Sequence, residues 1–182
     1  MTTAHHREKN PEKVRHLLIE NARKLALEKG LAFVSVQQVS RAAGVTKGAF
    51  FHHFSSKQTL IDAVFAEMIA ELDKGIEAYM QDDPLAHGRF TRAYLRLVMD
   101  ETSSSEGSSS AIWISAITDE TLQSIWNTWL KERIARHHET DGHEALHAVR
   151  MAADGIWFAL FTGGDPEDFT ALFPYLLKST LP

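Results

Sequence analysis

Apolar residues return every three or four positions along almost the whole chain, and nowhere do they alternate with polar ones over a run long enough for a strand. The pattern predicts an all-α fold of about nine helices. The first is expected from about Pro11 to Lys29, with Val14, Leu17, Leu18, Ala22 and Leu25 on one face and Gly30 as its stop. Two short helices follow. Ser35 is placed to cap one carrying Val36, Val39 and Ala43, and Thr46 to cap the next, which runs from Lys47 to His53. Their junction, Ala43-Gly44-Val45, has the length and turn chemistry of a helix-turn-helix. A long amphipathic helix starts after Ser56 and presents Leu60, Ile61, Val64, Phe65, Met68, Ile69, Leu72, Ile76 and Tyr79.

Asp83 and Pro84 read as an N-cap and first-turn proline, opening a helix through Phe90, Tyr94, Leu97 and Val98 to about Glu101. The run TSSSEGSSS at 102 to 110 is the one low-complexity stretch and is expected to be a mobile loop. A short apolar helix (Ala111 to Ile117) comes next, then one capped by Asp119 carrying Leu122, Ile125, Trp126, Trp129, Leu130 and Ile134. His137 to Gly142 reads as a polar connection, and His143 to Thr162 as a helix burying Leu146, Val149, Ala153, Ile156, Trp157 and Leu160. Asp165-Pro166 opens the last helix, which Pro174 should kink or split.

With 182 residues, 44% of them hydrophobic, the chain can bury a real core. It has no cysteine, so disulfides, thiolate metal sites and thiol nucleophiles are excluded, and a cytoplasmic location is the expectation. No apolar stretch approaches the roughly 18 residues that span a bilayer, so neither membrane insertion nor export is expected. The net charge of −5 speaks against a polyanionic partner, but it conceals an asymmetry. Residues 1 to 57 carry ten Lys/Arg against four Asp/Glu, whereas residues 58 to 182 carry nine against twenty. A basic head on an acidic body implies that only the head meets phosphates, where each docked cation releases counterions.

The segment from Ser35 to Leu60, SVQQVSRAAGVTKGAFFHHFSSKQTL, is specific. It has a capping Ser35, the small pair Ala42-Ala43 before Gly44-Val45, Gly48 in the second helix, Phe51, His53-Phe54 and then Lys57. This pattern closely resembles the DNA-binding motif of the tetracycline-repressor (TetR) family over about residues 11 to 65, and the ADGIW stretch at Ala153 to Trp157 is a weaker likeness. The resemblance implies a dimeric transcriptional regulator whose body binds an effector that changes the spacing of two DNA-binding heads. It divides the chain into an N-terminal arm (1–10), a helix-turn-helix domain (11–57), a linking fourth helix (56–80) and a ligand-binding and dimerisation domain (58–182). Where the family usually has Tyr this chain has Phe51, which keeps the ring and loses a phenol that reaches phosphate.

In the recognition helix, Gly48 and Ala49 supply clearance against DNA, while Gln37, Lys47 and His52 offer donors or acceptors to base edges. Ser35, Thr46, His53 and Lys57 are at helix ends, where phosphates bind, and Phe51 lies between the two groups. In the body, four tryptophans are more aromatic bulk than close packing requires, so an apolar effector pocket is expected among Met68, Phe90, Tyr94, Trp113, Trp126, Trp129 and Trp157. The ligand class is small, hydrophobic or aromatic. A stripe of small residues, Ala148, Ala152, Gly155 and Ala159, would let a second helix approach, and with Phe169 and Phe173 forms the expected homodimer interface. Two-fold symmetry in turn implies a palindromic double-stranded operator.

Ten histidines invite a metal, and His143 and His147 are one helical turn apart, with His137 and His138 nearby, but no complete ligand set or HExxH-type motif is present. Neither a metal nor another cofactor is expected. No catalytic residue is assigned either, since the serine-rich run lacks a positioned base and there is no phosphate loop or nucleophile elbow. An architectural DNA-binding protein without a small ligand is the alternative to a repressor released by an effector.

Overall fold

The computed structural model describes residues 10–103 and 110–182, and within them every regular element is helical. Helix α1 (Pro11–Lys29) is followed by a 3-10 turn (Leu31–Phe33), then α2 (Val36–Ala42), α3 (Lys47–His53) and the long α4 (Lys57–Gln81). The remainder comprises α5 (Arg89–Ser103), α6 (Ser110–Thr118), α7 (Glu120–Arg136), the single turn α8 (His138–Asp141), α9 (Glu144–Phe161), α10 (Pro166–Thr170) and α11 (Leu172–Lys178). Residues 1–9 of the N-terminal arm and 104–109 of the serine-rich loop lie outside the described residues.

Caps fix the short helices of the head. The Ser35 hydroxyl accepts the Gln38 N–H at 3.2 Å, and the Thr46 hydroxyl accepts that of Ala49 at 3.1 Å. Between them Gly44 turns the chain at φ 66°, where a side chain would be strained. Ser56 and Thr59 form a reciprocal capping box that starts α4.

Two differences from the sequence reading have long-range causes. The helix expected from Pro84 starts at Arg89 instead: Asp83 accepts the Leu85 N–H at 3.0 Å, as an N-cap would, but the chain beyond is held by Arg92, which pairs with Asp83 at 2.6 Å and donates to the carbonyls of Leu85 and His87. The N-terminus of α5 is capped from elsewhere: Asp141, buried in α8, accepts the Thr91 N–H at 2.8 Å. That demand turns the expected polar connection at 137–142 into a helical turn. The last helix splits at Ala171, which places Pro174 in the first turn of α11, where its missing N–H has least consequence.

The core runs without a break from the head into the body. Leu18, Ile19, Val39 and Phe50 pack with Leu60, Val64 and Phe65 of α4, and with Ile112, Trp113 and Ala116 of α6. A second cluster joins α4, α5 and α9 through Ile76, Phe90, Leu95, Val149 and Ala153. Arg92, which is 4% exposed, clasps this part by donating to the carbonyls of Leu85, His87 and Thr180 as well as to Asp83.

Candidate functional site

The first candidate surface is the exposed side of α2 and α3. Gln37, Thr46, Lys47, Gly48, Phe51 and His52 are all exposed there. A Cβ on Gly48 would meet nothing nearer than the Thr46 hydroxyl at 3.8 Å, so packing within the chain does not require glycine, and the clearance it gives points outward. Phe51 is 54% exposed and braced edge-on by the buried Phe50 at 5.3 Å. His53 is half-buried beside His52; burial lowers its pKa, and the charges of His52 and Arg15 lower it further.

The remaining head residues are tied more closely to the protein. Ala49 is half-buried, and the hydroxyls of Ser35 and Thr46 already serve as helix caps. Lys57 points its ammonium at the Ala32 carbonyl, 3.5 Å away. Gln38 and Arg41 are exposed on α2 and were missed from the sequence, although both lie within one turn of Gln37.

The second candidate site is a cavity of about 330 Å³ walled by α4, α5, α6, α7 and α9. Tyr94, Trp113, Trp126 and Trp157 line it together with Phe65 and Phe158. Trp113 stands edge-on to both Trp126 (5.6 Å) and Trp157 (5.8 Å), an arrangement that props rings around a space instead of stacking them into it. Met68, Phe90 and Trp129 lie outside this wall. Met68 is in the core, Phe90 stacks on His137 at 5.1 Å, and Trp129 donates its indole N–H to Asp73 at 2.8 Å while its ring supports Trp126.

Polar groups of the cavity were also missed. Gln123, Asn127 and Asp154 line it, and Tyr94 donates its hydroxyl to Asp154 Oδ1. Burial raises the pKa of Asp154, opposed by the Tyr94 hydrogen bond and by Arg150. A signal for Asp154 was present, since Asp154, Trp157 and Phe158 share one face of α9 at helical spacing.

On the outer side of α9, Ala148 and Gly155 are exposed, and a Cβ on Gly155 would meet nothing within 4 Å. Ala152, Ala159 and Phe169 are half-buried, and Phe173 packs inward on the α5–α9 core. Around the stripe, Met151, Phe158, Leu172 and Tyr175 are 44–69% exposed. Among the described residues no group of three or more histidines and carboxylates is gathered to hold a metal, and no helix is long and apolar enough to cross a membrane.

Both halves of this arrangement match known families. Residues 18–64 match the model described as bacterial regulatory proteins, tetR family, and residues 88–180, just over half the chain, match the tetracyclin repressor-like C-terminal domain. The chain belongs to the TetR family. Among TetR-family relatives, the transposon Tn10 TetC protein of Escherichia coli is 37% identical over 73 residues, which are 40% of this chain and 37% of that protein. The match thus spans just over a third of TetC's length. The HTH-type transcriptional repressor AcnR of Corynebacterium diphtheriae is 27% identical over 91% of this chain and 90% of its own. The multidrug binding protein EbrR, complexed with malachite green, shares the fold with a TM-score of 0.75 at 17% identity, covering 92% of this chain and 98% of that one. The family is one of DNA-binding transcriptional regulators and not of enzymes.

Proposed function

We propose that the protein is a cytoplasmic homodimeric repressor that binds a palindromic operator through α2 and α3 and is released when a small hydrophobic or aromatic molecule occupies the cavity. The observation that carries this reading is the position of α6. Trp113 and Ala116 line the cavity, and the same two residues belong to the core that includes α1, α3 and the 3-10 turn. A ligand that displaces α6 therefore presses on the head directly. Just beyond α6, Gln58 at the start of α4 donates to Asp119, the N-cap of α7, at 3.3 Å, and so ties head to body a second time.

In the head, Lys47, Gln37 and His52 are the base readers, Gly48 and Ala49 give clearance, and Ser35, Thr46, Phe51, His53 and Lys57 lie along the phosphates. The stripe of small residues Ala148, Ala152, Gly155 and Ala159, two of them exposed and two half-buried, supports dimerisation through α9 and the final helices together with Phe169 and Phe173. EbrR's complex with malachite green supports a small aromatic ligand in this fold.

For release, the ligand must bind the DNA-free conformation more tightly; a tenfold loss of DNA affinity needs a differential of about 1.4 kcal/mol. The test is fluorescence anisotropy of labelled operator, selected from random DNA with the purified protein, titrated with lipophilic aromatic compounds. Competition supports the repressor. Binding of such compounds with DNA affinity unchanged would favour the architectural alternative.

A further inference from the structure

Of the thirteen residues that line the aromatic cavity, Asp154 alone carries a charge. Its Oδ1 accepts the Tyr94 hydroxyl, and among the described residues Oδ2 has no hydrogen-bond partner. The charges of Arg150 and, less strongly, His147 reach Asp154 through space, but the Arg150 guanidinium donates to the Thr91 hydroxyl at 2.6 Å and the Asp141 carbonyl at 3.1 Å, not to Asp154. Among the described residues no Lys, Arg or His nitrogen comes within 4.0 Å of the Asp154 carboxylate.

Taking a carboxylate even partly out of water without an ion pair is costly, and a core built only for stability would pair the half-buried Asp154 or replace it with an apolar residue. Here it stands among ring faces whose quadrupoles also attract positive charge. A carboxylate without an ion pair and aromatic walls both favour a cationic guest and disfavour its neutral and anionic isosteres. We propose that Asp154 selects the effector by charge, so that the cavity takes an aromatic cation, such as a ring bearing a quaternary or delocalised nitrogen, in preference to a neutral or acidic ring of the same size. This rests on the cavity being the effector site.

The test uses the full-length protein and three ligands of one shape: N-methylquinolinium, 1-methylnaphthalene and 1-naphthoate, measured by isothermal titration calorimetry. The cation is expected to bind on the order of tenfold more tightly than the neutral ring, with the anion weakest. Asp154→Asn keeps an acceptor for Tyr94 and should erase the preference, lowering cation affinity about tenfold and leaving the neutral ring within about twofold. Asp154→Glu should retain the preference. Equal affinity of the wild type for cation and neutral ring overturns the proposal whether or not the Asn variant folds, as does an Asn variant that folds, by circular dichroism, and still prefers the cation. Operator release, measured separately, distinguishes the two readings. A cation bound through Asp154 that leaves DNA in place removes the switch and keeps the charge selection. A neutral ring that releases DNA equally from wild type and Asp154→Asn keeps the switch and removes the charge selection.

Discussion

The head and the body solve opposite packing problems. In α1–α3, Leu18, Ile19, Val39 and Phe50 are wholly buried, and nearly all polar side chains stand outside. In the body, Thr91, Arg92, Arg133, Asp141 and Arg150 are at most 4% exposed, and the aromatic rings hold open a cavity. Buried polar groups and unfilled volume both cost stability. The head accepts little of either, Ser40 being its one buried polar residue among those described, because its chemistry lies on an outer surface that needs only a rigid support. The body accepts both, which is what a region with an internal site must do.

This contrast can be broken most severely at the body's buried ions. Arg92→Ala strands Asp83 and several carbonyls, and should lower unfolding free energy by about 3–5 kcal/mol in urea titrations. Breaking the exposed Lys24–Glu20 pair of α1 should leave the urea midpoint nearly unchanged. A similar loss from both variants would erase the distinction.

Adding volume tests the void itself. Ala22 is 1% exposed in the head, so Ala22→Leu should overpack it and cost about 1–3 kcal/mol. Ala116 is on the cavity wall, so Ala116→Leu should be neutral or stabilising by about 0.5–2 kcal/mol while weakening aromatic ligands. Opposite signs in thermal melts are the expected result.

On the outer surface a small gain is available. Phe51→Tyr restores a phenol to an exposed ring and should strengthen operator binding by about 0.5–1.5 kcal/mol with the melting temperature unchanged. Unchanged affinity would mean that this ring does not face a phosphate.

The smallest effect should come from acid. His53 in the head has a lowered pKa through burial and nearby His52 and Arg15, and His137 in the body through burial and Arg133. A histidine depressed in the folded state binds fewer protons there than in the unfolded chain, so stability rises with pH through the window below about 6.5 and falls on acidification. The melting temperature should therefore drop below that pH, and His137→Phe should flatten the drop while leaving the His53 part.

What the sequence revealed divides along the same line. Ser35, Thr46 and the small pair before Gly44 act within three or four residues of themselves, so the helix-turn-helix was readable from a short window. The start of α5 was not, because its cap, Asp141, comes from 50 residues away. The aromatic residues of the body were conspicuous, but which of them face the void depends on distant partners. Trp129 is drawn aside by Asp73, 56 residues earlier, and Phe90 by His137. Asp154 shared a helix face with Trp157 and Phe158, yet only the fold shows that this face borders an open space.

The clasp made by Arg92 also has a consequence in time. Its partner carbonyl on Thr180 is 88 residues downstream, and at about 5–20 residues per second a ribosome needs roughly 4–18 s to supply it. The head, whose packing partners are largely complete by α4, can be shaped while the body still waits with the apolar side of α5 uncovered. Nascent copies of this protein therefore pass through an interval in which a DNA-reading unit lacking only the cover of α6 is joined to an unfinished, adhesive body.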